Sequence, residues 1–219
     1  MRPMQTVAAL YVDRKGPYPS MPGVEIWDEA RDATRYAGPH PVVAHPPCQR
    51  WCKLAKNVAW RFPNRPEMQV GADGGLFAAA LAAVRRHGGV LEHPAWSLAW
   101  PRFGLLAPPR KGWARSLDGE WTCEVAQSAY GHECRKLTWL VLVGAEPPPD
   151  TRWDKPRGTR LLTHFAQRHS GDHNDTGRGH DARVSGKATH LTPPAFAEFL
   201  VSLARRVDRA SLAGAHAIP

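Results

Sequence analysis

Asp73-Gly-Gly-Leu-Phe-Ala-Ala-Ala-Leu-Ala-Ala-Val-Arg-Arg-His87 runs straight into Gly88-Gly-Val-Leu-Glu-His-Pro94, and these two segments decide the fold. In the first, Leu76, Phe77, Ala80, Leu81 and Val84 recur at the spacing of one helical face. Asp73 suits the N-cap, Arg85 and Arg86 suit the negative end of the helix dipole, and Gly88-Gly89 stops the helix. The second is a short apolar strand ending at Glu92. Upstream, Pro41-Val-Val-Ala-His-Pro-Pro-Cys-Gln-Arg-Trp-Cys52 holds another apolar run, Val42 to Ala44, which the prolines at 46 and 47 forbid to continue. Strand, helix and strand in that order make a βαβ unit with a parallel pair, and place Cys48 and Glu92 at the same sheet edge.

Working outward, Val7 to Val12 and Val24 to Trp27 read as further strands. The proline- and glycine-rich stretch between them cannot be helical, and a brief helical turn is expected after Asp28. Trp96 to Gly112 reads as loop. Trp121 to Ala126 and Leu137 to Val143 read as strands on either side of Gln127 to Lys136, and Arg160 to Gln167 as a short helix. Near the end, Thr192 suits an N-cap with Pro193 at the first helical position, and Phe196, Phe199, Leu200 and Leu203 share a face. The expected class is α/β: a Rossmann-like, mostly parallel sheet with helices on both faces and a loop-rich insertion. Residues 1–145 and 188–209 form the body, 146–187 a basic, His-rich recognition or lid segment, and 210–219 a tail.

The chain has 219 residues, 42% of them hydrophobic, enough for one sizeable core. It has no apolar run long enough to span a bilayer and no charged-then-apolar leader, so a cytoplasmic protein is expected. In that compartment Cys48, Cys52, Cys123 and Cys134 should be free thiols. Lys and Arg total 29 against 20 acids, a net charge of +9, which favours a polyanionic partner unless it reflects genomic composition alone. Several of the nine tryptophans stand beside Arg or Lys, a pattern suited to base stacking and phosphate contact as well as to packing.

Two readings of Cys48 stand side by side. A thiol on a stiff loop beside Arg50 and Lys53 has the setting of a nucleophile, whose thiolate those charges would favour; a buried, inert cysteine fits the same residues. The cluster His164, His169, Asp172, His173, Asp175, His180, Asp181 could coordinate a metal, but its interspersed glycines fit better a polar loop that meets phosphate. No metal is assigned.

The series Pro46-Pro47-Cys48-Gln49, Leu91-Glu92-His93-Pro94, Tyr130-Gly-His-Glu-Cys-Arg-Lys136 leading into the strand Leu140 to Gly144, and Thr192-Pro-Pro-Ala-Phe-Ala197 resembles the order of motifs in DNA cytosine-5 methyltransferases, in a compact, phage-type form. The resemblance spans residues 41–204. It implies a DNA partner, a cytosine flipped out of the stack, and S-adenosylmethionine as methyl donor. Cys48 would be the nucleophile that adds to C6, Glu92 would assist at N3, and Arg135 or Lys136 would hold O2 or a phosphate. His45, Pro47, Gln49, Arg50, His93, Tyr130 and Lys136 would contact substrate or DNA, and Asp13, Glu25, Asp28 and Pro46 would line the donor site. The sequence departs from the family where His93 replaces Asn and where Cys134 and Thr138 replace Gln and Arg. The phenylalanine-glycine-x-glycine turn after the first strand is also missing, so the donor site is either remodelled or lost. The alternatives are a non-catalytic DNA-binding relative and an enzyme acting on pyrimidine nucleotides with a folate-type donor.

Overall fold

The computed structural model describes residues 4–162, 182–184, 191–208 and Leu212. Seven strands form one mixed sheet: β1 (Val7–Leu10), β2 (Val24–Trp27), β3 (Val42–Ala44), β4 (Gly89–Pro94), β5 (Trp113–Arg115), β6 (Trp121–Ala126) and β7 (Leu137–Val143), in the order β2-β1-β3-β4-β7-β6-β5. The β1/β2, β1/β3 and β3/β4 pairs are parallel, whereas β4/β7, β6/β7 and β5/β6 are antiparallel. The sheet is therefore half parallel by pairing rather than mostly so, because the last three strands return as hairpins. The chain moves one way from β1 to β2 and the other way from β3 to β4. That leaves a crevice beyond the carboxyl ends of β1 and β3, where ligands of open α/β sheets bind.

Four helices are described: α1 (Lys53–Arg61), α2 (Leu76–His87), the four-residue α3 (Ala99–Arg102) and α4 (Pro194–Arg205). Alternate residues of the central strands face opposite layers. Ala8, Leu10, Val42, Ala44 and Leu91 pack with Phe77, Leu81 and Val84 of α2 and with Trp100. Val7, Ala9, Val43, Val90, Leu140 and Leu142 pack with Phe196, Leu200 and Leu203 of α4. The N-cap of α2 is Gly75, two positions later than expected, and the Asp73 carboxylate accepts from the backbone N–H groups of Gly75 and Phe77.

Several elements differ from expectation for identifiable reasons. β1 stops at Leu10 because Tyr11 is left-handed (φ 59°), and β4 continues past Glu92 to Pro94 because β7 pairs with it throughout. The helix α1 was not expected, although Leu54, Ala55, Val58 and Ala59 line its inner face, because that stripe is short and only Ala55 in it is fully buried. The short helix α3 lies in the stretch read as loop, and the strand β5 follows directly after that stretch, in residues to which no element was assigned. Residues Arg160–Leu162 form a strand (β8) paired in parallel with Ala182–Val184 (β9), not the start of a helix; the rest of that expected helix lies outside the described residues. Pro193 is itself the N-cap of α4, one position later than expected. The first part of the expected insertion belongs to the body. Thr151 is buried and accepts from the Trp113 indole, Lys155 pairs with Glu124, and Cys134 bridges to Gly158. The His/Asp cluster of the sequence lies outside the described residues.

The β3/β4 pair depends on Gly89. At φ +121° a Cβ there would fall 2.0 Å from the Val42 carbonyl oxygen, a backbone atom that cannot move aside without opening the pair. Gly89→Ala should therefore lower unfolding free energy by about 3 kcal/mol or more. Urea denaturation reads this directly, and stability equal to that of the unaltered chain would contradict the register.

Candidate active site

The strands β3 and β4 run in register with Ala44 opposite Leu91, so the residues that follow, His45 and Glu92, emerge side by side on the α4 face. His45 Nδ1 is 2.9 Å from Glu92 Oε2. Because an ionised carboxylate only accepts, Nδ1 is the donor. The Tyr18 hydroxyl lies 2.6 Å from Nε2 of the same ring. On the other side of Glu92, the Gln127 amide donates from Nε2 to Oε1 (3.2 Å) and to the Thr138 hydroxyl (3.0 Å). Gln127 stands at the carboxyl end of β6 and Thr138 at the start of antiparallel β7, so five elements deliver one continuous, largely buried polar chain to one edge.

Burial by itself would raise the Glu92 carboxyl. The hydrogen bond and charge of His45 and the nearby charge of Lys136 outweigh it and hold the group down at about 2. Glu92 is thus an ionised acceptor and not a resting acid. The Cys48 thiol goes the other way: burial, with Cys52 and Glu92 nearby, pushes it up to about 11 against the pull of Lys136. It is protonated at neutral pH. The cations expected to favour its thiolate are otherwise engaged, Arg50 donating to Met68 Sδ (3.2 Å) and Lys53 lying over the Trp96 ring. The cation in range is Lys136, whose ammonium donates to the Leu191 carbonyl just ahead of α4 (3.1 Å) and whose own proton affinity burial lowers.

The structure thus brings together Cys48, Glu92, His45 and Lys136. Pro46 is buried and Pro47 half-buried between the strand and the cysteine. Gln49 is exposed, and its carbonyl accepts from the Cys52 thiol (3.8 Å). Arg135 donates to the Pro156 carbonyl (3.4 Å) in the 150s segment, whereas the Lys136 charge interacts with Glu92 and Cys48. Two residues expected to touch substrate are buried in the packing of the two layers. His93 alternates to the α2 face, fully buried between Phe77 and Trp100. Tyr130 is buried against Phe196 and Phe199. Sequence reasoning missed Tyr18, Gln127 and Thr138. One of these keeps an unused acceptor, since Gln127 Oε1 is buried with no hydrogen-bond partner among the described residues.

The residues assigned to a methyl donor do not fit S-adenosylmethionine. Asp13 Oδ1 accepts from the Lys15 N–H, Glu25 pairs with Arg31, and Asp28 is held by the Arg14 guanidinium and the Arg31 N–H. The loop after β1 folds back over the crevice and buries Tyr18 against His45. The cavity that this loop does wall, about 290 Å³ between Pro17 to Pro22 and α4, runs along that helix to Arg205. Arg205 bonds the Gln5 and Pro22 carbonyls ahead of β1 and β2, at the opposite edge from the strand ends.

Family models, curated proteins and solved structures offer no match to this chain. The described residues contain no group of side chains that could hold a metal and no helix long and apolar enough to cross a membrane.

The charge on Glu92 predicts an acid response. Its proton affinity is depressed on folding, so the stability it contributes is present above about 4.5 and lost as pH falls through about 2. The difference amounts to about 3 kcal/mol. His93 and His132, both driven down to about 4 chiefly by burial, make the unfolded chain bind more protons between about 6.5 and 4. Unfolding at a series of pH values should show stability falling through both windows. Glu92→Gln should cost about 3 kcal/mol at pH 7, and that difference should vanish towards pH 2.

Proposed function

We propose that this chain modifies cytosine in DNA at C5 as the cytosine-5 methyltransferases do, with Cys48 adding to C6 of an unstacked base. One observation carries the reading: a thiol (Cys48), an ionised carboxylate (Glu92) and a cation (Lys136) meet at the switch-point edge of a part-parallel sheet. The Rossmann-like character and the DNA partner belong to the same proposal, which the net charge of +9 favours.

The preference for cytosine follows from the acceptors. The Glu92 carboxylate and the buried, unpartnered Gln127 carbonyl oxygen suit a base with an exocyclic N4 amine, which donates; the O4 of uracil or thymine would meet two acceptors with no proton to share. In the addition, the Cys48 S–H bond breaks and sulfur bonds C6. The C5–C6 π pair moves onto C5 and through C4 to N3, and the thiol's proton ends on N3. Glu92 then accepts from N3–H, and Lys136 offsets the charge gathering at O2. A thiol that surrenders its proton only to the bound base stays unreactive without one. C5 becomes an enamine carbon able to take an electrophile. With Asp13, Glu25 and Asp28 engaged elsewhere, the proposal covers activation of C5 and not the identity of the one-carbon group.

A second reading, a relative that holds a flipped cytosine without reacting, is favoured by the Tyr18-filled crevice and the protonated thiol. The two readings separate without any donor. If Cys48 adds, C5 takes a proton from solvent and releases its own on reversal, so cytosine H5 in bound DNA should exchange in D2O at a rate Cys48→Ser abolishes. Lys136→Gln should slow the exchange about tenfold to a hundredfold. Tight binding of DNA with no exchange, measured by mass spectrometry of the recovered nucleosides, would leave the binding relative standing.

A further inference from the structure

We propose that α1 and the turn after it form a stacking platform for single-stranded nucleic acid, so that the strand presented to Cys48 is unpaired; this rests on the cytosine-modifying reading. The platform follows the nucleophile directly, since Cys48 O accepts from the N–H groups of Trp51 and Cys52, and Cys52 is the N-cap of α1. Trp60 is 85% exposed, the largest exposure of any described aromatic residue, and Phe62 next to it is 37% exposed. An indole turned to water costs hydrophobic free energy unless something covers it.

Charge identifies what covers it. From Gln49 to Pro66 the chain carries Arg50, Lys53, Lys56, Arg61 and Arg65 and no acidic residue. Lys56, Arg61 and Arg65 are exposed. The Arg61 and Arg65 guanidinium groups lie 5.8 and 5.6 Å from the Phe62 ring centre, while Lys53 loses proton affinity to burial and to neighbouring Lys56. Cations crowd cations here, and an anion with aromatic faces would satisfy both the charges and the rings.

A duplex does not qualify. Its outside offers phosphates and groove edges while the base faces are hidden in the stack, so an exposed indole finds no stacking partner on it. Single strands offer both, which is how cation-flanked aromatic platforms hold them. The nine residues of α1 span about 14 Å, room for roughly four nucleotides at a stacked rise of about 3.4 Å.

Fluorescence anisotropy of the full chain with a labelled oligonucleotide of about 20 nucleotides, single-stranded and as the duplex of the same sequence, tests this. The single strand should bind more tightly. Trp60→Ala should weaken it about tenfold while Trp60→Phe retains most of the affinity, with circular dichroism unchanged because the side chain is exposed. The double variant Lys56→Ala/Arg61→Ala should reduce the steepness of log K against log salt by about 1.4. Equal or tighter duplex binding, or indifference to Trp60→Ala, overturns the platform. H5 exchange measured on the same samples keeps the two ideas apart. Strand affinity that depends on Trp60 without exchange defeats the chemistry and leaves the platform. Exchange on duplex DNA that ignores Trp60→Ala defeats the platform and leaves the chemistry.

Discussion

Glu92 keeps its charge in a place where burial alone would neutralise it, and the carboxyl edge of the sheet is arranged around that fact. An isolated carboxylate loses several kcal/mol on leaving water, and only partners fixed in position restore it. Here they come from four places in the chain: His45 beyond β3, Gln127 beyond β6, Lys136 ahead of β7, and Tyr18 behind His45. Moving any one strand by a residue would turn its contribution to the other face. The register of β3 on β4, which tolerates only a glycine at 89, is therefore also the condition for the charge.

The same edge holds backbone in unfavourable conformations. Tyr11 after β1, Trp96 after β4 and Lys136 before β7 all have positive φ without being glycine. Each such residue costs about 1–3 kcal/mol and persists only where its surroundings hold it. Lys136 is held by its bond to the Leu191 carbonyl and by the Gln127 N–H, which donates to the Lys136 carbonyl (3.2 Å). The left-handed turn aims an ammonium back towards Cys48 and Glu92, where an extended residue in the β7 register would have continued the strand. Strain at three strand ends on one edge marks it as the place where structure has been set against local preference.

The periodic part of the molecule was legible in the sequence. The apolar stripe of α2, the short runs of β3 and β4 and the phenylalanines of α4 each carry a repeat that fixes element and face. Cys48 and Glu92 could be placed at one edge because a parallel βαβ unit leaves no other choice. The hairpin return of β5 to β7 was not legible as such, since strand runs state their length and burial but not their direction. Tyr18, Gln127 and Thr138 were invisible as site residues because their roles arise from pairing across 27, 35 and 11 positions of chain. The helix α1 left only a faint trace, the short apolar face Leu54, Ala55, Val58 and Ala59, which the exposed Trp60 and the surrounding cations mask.

The opposed proton affinities of Cys48 and Glu92 bear on how the site would work. A thiolate beside a buried carboxylate would place two negative charges in low dielectric: burial raises the cysteine first, and the neighbouring Cys52 and the ionised Glu92 add to the rise. Only one of the pair can be charged at rest, and the network of His45 and Gln127 decides that it is the glutamate. In the proposed addition, a base whose N3 can take a proton would change that balance. Once the thiol's proton sits on N3, the carboxylate faces a positive hydrogen instead of a thiolate, and the sulfur charge disappears into the bond with C6. On this account the depressed carboxyl and the raised thiol are two sides of one arrangement, in which charge separation becomes favourable only across a bound base.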